Sequence, residues 1–167
     1  MTENRQRVDI LIEGAVVLPM TGPEDIIWDG SIAIDGGRLV AVGERSDLER
    51  IYAPDETIDA SGQLAMPGLV NTHMHLFGSF MRGLVNDLSF TPWIQKKFFV
   101  TSRGLNPDNY YLGTQFAAID MLRSGTTTFL DCGTYQELEE AAVHGVETAG
   151  IRAVLARTMA DIQDDLA

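Results

Sequence analysis

The second half of the chain alternates between strand-like and helix-like segments, and this alternation restricts the fold more than any other feature. Short apolar or β-branched runs at residues 69–73, 126–131 and 151–157 predict three strands. The segments around residues 93–100, 108–123 and 136–148 are typical of helices. Connections between parallel strands through a helix are almost always right-handed. The sequence therefore predicts an α/β fold in which the three strands are parallel neighbours, in chain order, with helices outside.

Residues 1–66 follow a different pattern, in which short strands are separated by turns. Asp35, Gly36 and Gly37 form a strong hairpin signal between two alternating segments. Gly14 is predicted to end one strand and Ala15 to begin the next. The pattern predicts a small antiparallel sheet or half of a sandwich. Since the pattern changes at Pro67, we predict two domains, at residues 1–66 and 67–167.

Composition excludes several classes of protein. The 167 residues carry a net charge of −12, which makes a nucleic-acid backbone a poor partner. Cys132 is the single cysteine, so an internal disulfide framework is excluded and a reducing compartment is expected. No apolar run reaches the roughly 20 residues needed to span a bilayer, and the polar N-terminus lacks the apolar core of a signal peptide. We expect a cytoplasmic, soluble protein that has no nucleic-acid or membrane partner.

Two of the three histidines, His73 and His75, stand two residues apart at the end of the first predicted parallel strand. Side chains at i and i+2 of a strand point to the same face, and neutral imidazole is a good ligand for zinc. The carboxyl end of such a strand is also where α/β folds bind ligands. A chance pair of histidines is the alternative, since a motif this short is weak evidence alone.

Two further polar residues, His144 and Asp131, are candidates for a functional role. His144 lies within the acidic helix predicted at residues 136–148, so we expect an ordinary surface or half-buried side chain. Asp131 ends the second predicted strand, where either a functional role or a turn cap is typical. These two readings of Asp131 stay open from the sequence.

Four motifs, in order, resemble the amidohydrolase superfamily, and in particular the branch that holds S-adenosylhomocysteine and methylthioadenosine deaminases and triazine hydrolases. They are residues 66–75 (MPGLVNTHMH), 80–88 (FMRGLVNDL, followed by Trp93), 124–131 (SGTTTFLD) and 150–153 (GIRA). The resemblance implies the first strand–helix units of a (β/α)₈ TIM-type barrel. It also implies that residues 1–66 are the N-terminal half of a small β-sandwich.

The resemblance further implies a hydrolase that acts on a C–N bond of an aminated heterocycle through a metal-activated water. His73 and His75 match the first two ligands of one divalent ion, most often zinc, with iron as the alternative. A later histidine and aspartate complete that ligand set in the family, and a further glutamate and histidine move protons. The complete enzyme is expected to be a homo-oligomer.

None of those later residues has a match here, so we expect an N-terminal portion of a larger enzyme that is inactive in isolation and has no catalytic residue of its own. Two other functions fit the same motifs. One is a triazine-type chlorohydrolase, and the other is a non-catalytic truncated product.

Three residues are candidates for substrate binding by the same resemblance. Ser102 occupies the position where adenosine-type deaminases carry a glutamate that binds ribose hydroxyls. A serine cannot act as that bidentate acceptor, so we expect an aminated heterocycle without a sugar. Arg157 matches an arginine near substrate, with a salt bridge at the barrel rim as the alternative. Trp93 either lines the pocket or packs in the core.

Overall fold

The structure is a computed structural model, and it describes residues 5–157 apart from the side chains of Phe77, Phe98, Thr101 and Ser102. The chain divides into two compact units, Met1–Pro67 and Gly68–Ala167. Among the described residues, no helix has both the length and the apolar character needed to cross a membrane.

The first unit is built on one mixed sheet. Its strands are β1 (Gln6–Val17), β2 (Ile27–Asp35), β3 (Arg38–Glu44), β4 (Tyr52–Asp59) and β5 (Leu64–Ala65), and helix α1 (Arg45–Ile51) precedes β4. The path through the sheet is β3-β2-β1-β4, and β5 also pairs with β1. Two apolar clusters, around Leu11 and around Ala15, form the cores of this unit.

The predicted hairpin is confirmed, because β2 and β3 pair antiparallel and both Gly36 and Gly37 have positive φ. The prediction of an antiparallel sheet is wrong for β4 and β5, which run parallel to β1. For β4 the reason is α1, which carries the chain back along the sheet before the strand begins, as a parallel connection requires.

The predicted break after Gly14 is also wrong, since β1 runs through it as one strand. Gly14 adopts a φ of +76°, and the pairing with β2 shifts register between Glu13 and Ala15. Glycine accommodates such an irregularity without the cost that a side chain would add, so the strand bends here but does not end.

The second unit follows the predicted alternation. Its elements are β6 (Leu69–Met74), a 3-10 turn (Leu76–Met81), α2 (Phe90–Gly104), α3 (Pro107–Arg123), β7 (Thr126–Thr134), a 3-10 turn (Gln136–Leu138), α4 (Glu139–Ala149) and β8 (Arg152–Arg157). The sheet order is β6-β7-β8, and both pairings are parallel. The predicted order and direction of the three strands are confirmed.

One face of this sheet is covered by α3 and α4. Phe129 of β7 is buried in a cluster with residues of both helices, including Ala118 and Ala142. Met74 of β6 packs against the same cluster. By strand alternation, Asp131 shares the helix-covered face with Phe129, whereas Cys132 lies on the opposite face.

Candidate metal centre

The end of β6 is irregular where the histidines begin. The pairing of β6 with β7 shifts register between Asn71 and Met74, so one residue is left over as in a β-bulge. The side-chain oxygen of Asn71 accepts a hydrogen bond from the backbone N–H of His73 at 3.2 Å. Asn71 therefore satisfies a backbone donor that lies at the irregularity, a contribution that the sequence analysis missed.

His73 and His75 lie side by side. The backbone of His75 is still extended, with φ −132° and ψ 110°, although β6 has ended one residue earlier. The two ring centroids are 5.2 Å apart, and the ring planes are nearly perpendicular. Two imidazoles on one tetrahedral zinc, each with its nitrogen about 2.0–2.1 Å from the ion, have centroids roughly 5 Å apart. The spacing of the pair thus fits two ligands of one ion.

The ring of His73 has a neighbour on β7. Its Nδ1 lies 3.3 Å from the sulfur of Cys132. This contact leaves Nε2 as the nitrogen that can bind a metal, with Nδ1–H donating toward sulfur in that tautomer. From the sequence, Cys132 predicts only a reducing compartment, because its position beside His73 depends on how β7 pairs with β6.

His75 lies in an environment that favours the neutral imidazole. Burial is the main cause that lowers its pKa, the charge of Lys97 acts in the same direction, and the charge of Asp131 opposes both. A metal binds the deprotonated ring nitrogen, so the lowered pKa favours the protonation state of His75 that can act as a ligand. In residues 5–157, however, no group of three or more His, Cys, Asp or Glu side chains is placed to hold an ion. The donor set therefore fits part of a zinc site, and a complete site needs further ligands.

Asp131 is fully buried within β7, three residues before the strand ends at Thr134. Its Oδ1 accepts a hydrogen bond from the backbone N–H of Leu76 at 2.9 Å, and its Oδ2 accepts from the hydroxyl of Thr134 and, at 3.4 Å, from the N–H of Gly133. The bonds through Oδ2 are local but lie inside β7, because the strand continues to Thr134 and does not end at Asp131 as the sequence predicts. The bond through Oδ1 reaches the residue that directly follows His75.

Trp93 lines a cavity of about 190 Å³ in this unit. Its ring stacks on Phe90, and the buried side chain of Lys97 places its nitrogen 5.3 Å from the Trp93 ring centroid. Burial lowers the pKa of Lys97. Lys97 was not among the predicted site residues, and the sequence signal that could have found it is its place one helical turn after Trp93. The other lining residues are Gly78, Met81, Arg82, Gly83, Val85 and Asn86.

The other candidates are placed as follows. Arg157 forms a two-pronged ion pair with Glu139 at the start of α4, with Nη2 2.6 Å from Oε2, which is the salt bridge left open from the sequence. Ser102 falls within the backbone of α2, and its side chain lies outside the described residues. His144 is exposed and stacks on Tyr111, as expected for a surface side chain. A substrate role for Arg157, Trp93 or Ser102 stays a prediction.

Comparison with known proteins identifies the class of protein that carries this histidine pair. The sequence profile of the amidohydrolase family matches residues 64–166, and the chain belongs to this family. Among its relatives is a 5-methylthioadenosine/S-adenosylhomocysteine deaminase of Pelotomaculum thermopropionicum, 39% identical over 90% of this chain and 34% of the relative. A protein of the same name from Desulfitobacterium hafniense is 40% identical over 86% of this chain and 32% of the relative.

The solved structures that resemble this chain include a deaminase, as the sequence relatives do. An adenosine deaminase from Xanthomonas campestris with bound zinc has a TM-score of 0.84 and 29% identity, over 90% of this chain and 34% of that chain. An atrazine chlorohydrolase from Arthrobacter aurescens complexed with zinc has a TM-score of 0.74 and 27% identity, over 94% of this chain and 39% of that chain. The chain thus spans about a third of the length of the relatives that it matches.

Proposed function

We propose that this chain is the N-terminal portion of a zinc-dependent aminohydrolase that removes an amino group from a heterocycle. The observation that carries the proposal is the paired imidazoles of His73 and His75 at the carboxyl end of the first parallel strand. The family membership of the chain and the deaminase names of its relatives support the same reaction class.

In this proposal His73 and His75 are two of the ligands of one divalent ion, with the other ligands outside this chain. A divalent ion held there would supply Lewis acidity, which lowers the pKa of a water and would make that water a nucleophile for an electron-poor ring carbon. Asn71 and Cys132 hold His73 in place through its backbone N–H and its Nδ1. Trp93 and Lys97 form one wall of the substrate pocket, and Arg157 lies at its rim.

The same proposal covers the architecture. We infer that β6, β7 and β8 are the first three strands of a (β/α)₈ barrel, and that the first unit is the N-terminal half of a β-sandwich. Val70 and Val154 of the three-stranded sheet are 64% and 56% exposed, as expected if further strands of the barrel cover them. We further propose a cytoplasmic location and a homo-oligomeric complete enzyme.

A chlorohydrolase is the second candidate, because the structure resembles triazine hydrolases as well as a deaminase. Both reactions replace a leaving group on an electron-poor ring carbon. The two candidates are separated by the product, since a deaminase releases ammonia and a chlorohydrolase releases chloride from a chlorinated triazine.

The test is a comparison of His73→Ala with His144→Ala in the full-length protein. The first variant removes a proposed ligand and should abolish hydrolysis and lower zinc content, measured by elemental analysis. The second removes an exposed histidine stacked on Tyr111 and should leave both unchanged. Full activity of His73→Ala would overturn the proposal, and a wild-type protein with neither zinc nor turnover would favour a non-catalytic product.

A further inference from the structure

We infer that Asp131 is a positioning residue for the metal centre, acting on His75 through the backbone. This inference rests on the proposed role of His75 as a zinc ligand. Asp131 pairs with Met74 in the sheet register, so it lies opposite the residue between the two histidines. Its side chain points to the helix-covered face and does not contribute a ligand itself.

The contact that matters is the hydrogen bond from the N–H of Leu76 to Oδ1 of Asp131, at 2.9 Å. The N–H of Leu76 belongs to the planar peptide unit that joins it to His75. A hydrogen bond that fixes this plane also fixes ψ of His75, and therefore the direction in which its imidazole leaves the chain. Leu76 is itself buried in the core of the unit, with 1% of its surface exposed.

Local hydrogen bonds alone do not account for the arrangement. Within β7 the local bonds of Asp131 are made by Oδ2, which accepts from Thr134 and Gly133. Oδ1 instead reaches 55 residues back along the chain, to the connection that follows β6. A fully buried carboxylate is costly unless its oxygens are hydrogen-bonded, and one of the bonds that offset this cost is made to the residue after His75.

The experiment measures zinc affinity of the full-length protein by competition with a chelator, alongside thermal unfolding of the zinc-free form. Asp131→Ala should weaken zinc binding by about 10–100-fold, the range found when outer contacts of metal ligands are removed. It should also change the visible absorption spectrum of the cobalt-substituted protein, because the position of one ligand changes. Asp131→Asn keeps an oxygen acceptor for Leu76 and should bind zinc within several-fold of wild type.

Phe129→Leu is the matched control, since Phe129 is buried on the same face two residues earlier. It should lower the unfolding temperature without weakening zinc binding. Unchanged zinc affinity in Asp131→Ala would overturn the inference, as would equal losses of affinity in Phe129→Leu and Asp131→Ala. If Asp131→Ala does not fold, the test rests on Asp131→Asn, which keeps the acceptor for the N–H of Leu76. A loss of zinc affinity of about 100-fold in that variant would show that the Leu76 contact does not hold the site.

Zinc affinity is measured without substrate turnover, so the positioning role of Asp131 and the proposed reaction are tested independently. A wild-type protein that binds zinc but deaminates no heterocycle would remove the proposed reaction and leave the role of Asp131 intact.

Discussion

The sulfur of Cys132 lies 3.3 Å from Nδ1 of His73, which joins the second strand of the sheet to a histidine of the first. A ring nitrogen that faces away from a metal usually donates its hydrogen to an outer partner, which sets the tautomer and the direction of the ring. Carboxylates, carbonyl oxygens and waters are the usual partners, and a thiol is a weaker one. The contact therefore predicts a measurable but limited effect on the metal.

We expect Cys132→Ala to weaken zinc binding in the full-length protein by several-fold, less than the roughly 10–100-fold that is typical for a strong outer partner. Cys132→Ser keeps a group that can accept from Nδ1–H and should restore part of the loss. Competition with a chelator measures both. Equal zinc affinity in wild type, Cys132→Ala and Cys132→Ser would mean that the contact does not hold His73 in the metal-binding orientation.

A second prediction concerns the close approach of α3 and α4. A Cβ at Gly145 would lie 2.8 Å from Cβ of Thr114 and 3.2 Å from the carbonyl oxygen of Tyr111. Alanine is favoured over glycine by about 1 kcal/mol inside a helix, but overpacking of this kind costs about 1–3 kcal/mol. We expect Gly145→Ala to lower the free energy of unfolding measured with denaturant. Val143→Ala, on an exposed face of the same helix, should change it by less than about 0.5 kcal/mol.

The alternation of strands and helices in the second unit could be predicted because each segment is encoded locally, by its own apolar period and its own caps. Asn106 is an example, since its side chain and that of Asn109 cap the start of α3 reciprocally. The hairpin at Gly36 and Gly37 is equally local.

Features that depend on contacts between distant segments could not be predicted in this way. The parallel pairing of β4 with β1 joins residues about 46 positions apart, such as Gln6 and Tyr52. The bond from Leu76 to Asp131 spans 55 positions. The histidine pair is visible in the sequence because the two residues lie two positions apart. Cys132, which contacts His73, and Asp131, which contacts the residue after His75, come from β7, so their placement depends on the register of the sheet.

A third prediction concerns stability at high pH. The phenol of Tyr110 is buried, with 1% of its surface exposed, and burial raises its pKa well above the ordinary value near 10. Below pH 10 the phenol is neutral in both folded and unfolded chains and makes no difference to stability. As the pH rises further, the unfolded chain loses this proton first, so the free energy of unfolding should fall.

Tyr110→Phe removes this ionisation, so the variant should lose less stability than wild type between about pH 9 and pH 11. Denaturant unfolding of both proteins at the two pH values measures the loss of stability in each. The comparison between variant and wild type cancels the contribution of other groups that titrate in this range. Tyr111→Phe, at a less buried neighbouring position, is the comparison variant for the loss of a phenol hydroxyl. Identical pH dependence in wild type and Tyr110→Phe would mean that Tyr110 ionises equally easily in the folded and unfolded chains.

The last prediction concerns the choice of substrate, on which two observations disagree. The sequence relatives are named for 5-methylthioadenosine and S-adenosylhomocysteine, whereas Ser102 stands where a glutamate that binds ribose is expected from the family resemblance. A serine lacks the negative charge and the two side-by-side oxygens with which a carboxylate holds two hydroxyl groups, so the sugar should add little to binding. We predict that the full-length enzyme prefers an aminated heterocycle without a sugar.

Steady-state deamination of adenosine compounds and of free pterins, purines and triazines measures this preference. Ser102→Glu should raise kcat/KM for adenosine compounds by at least about tenfold, since each 1.36 kcal/mol of added transition-state binding is tenfold, and Ser102→Ala should not. A wild-type kcat/KM for any adenosine compound near about 10⁵ M⁻¹s⁻¹, an ordinary value for a good substrate, would show that Ser102 does not exclude nucleosides.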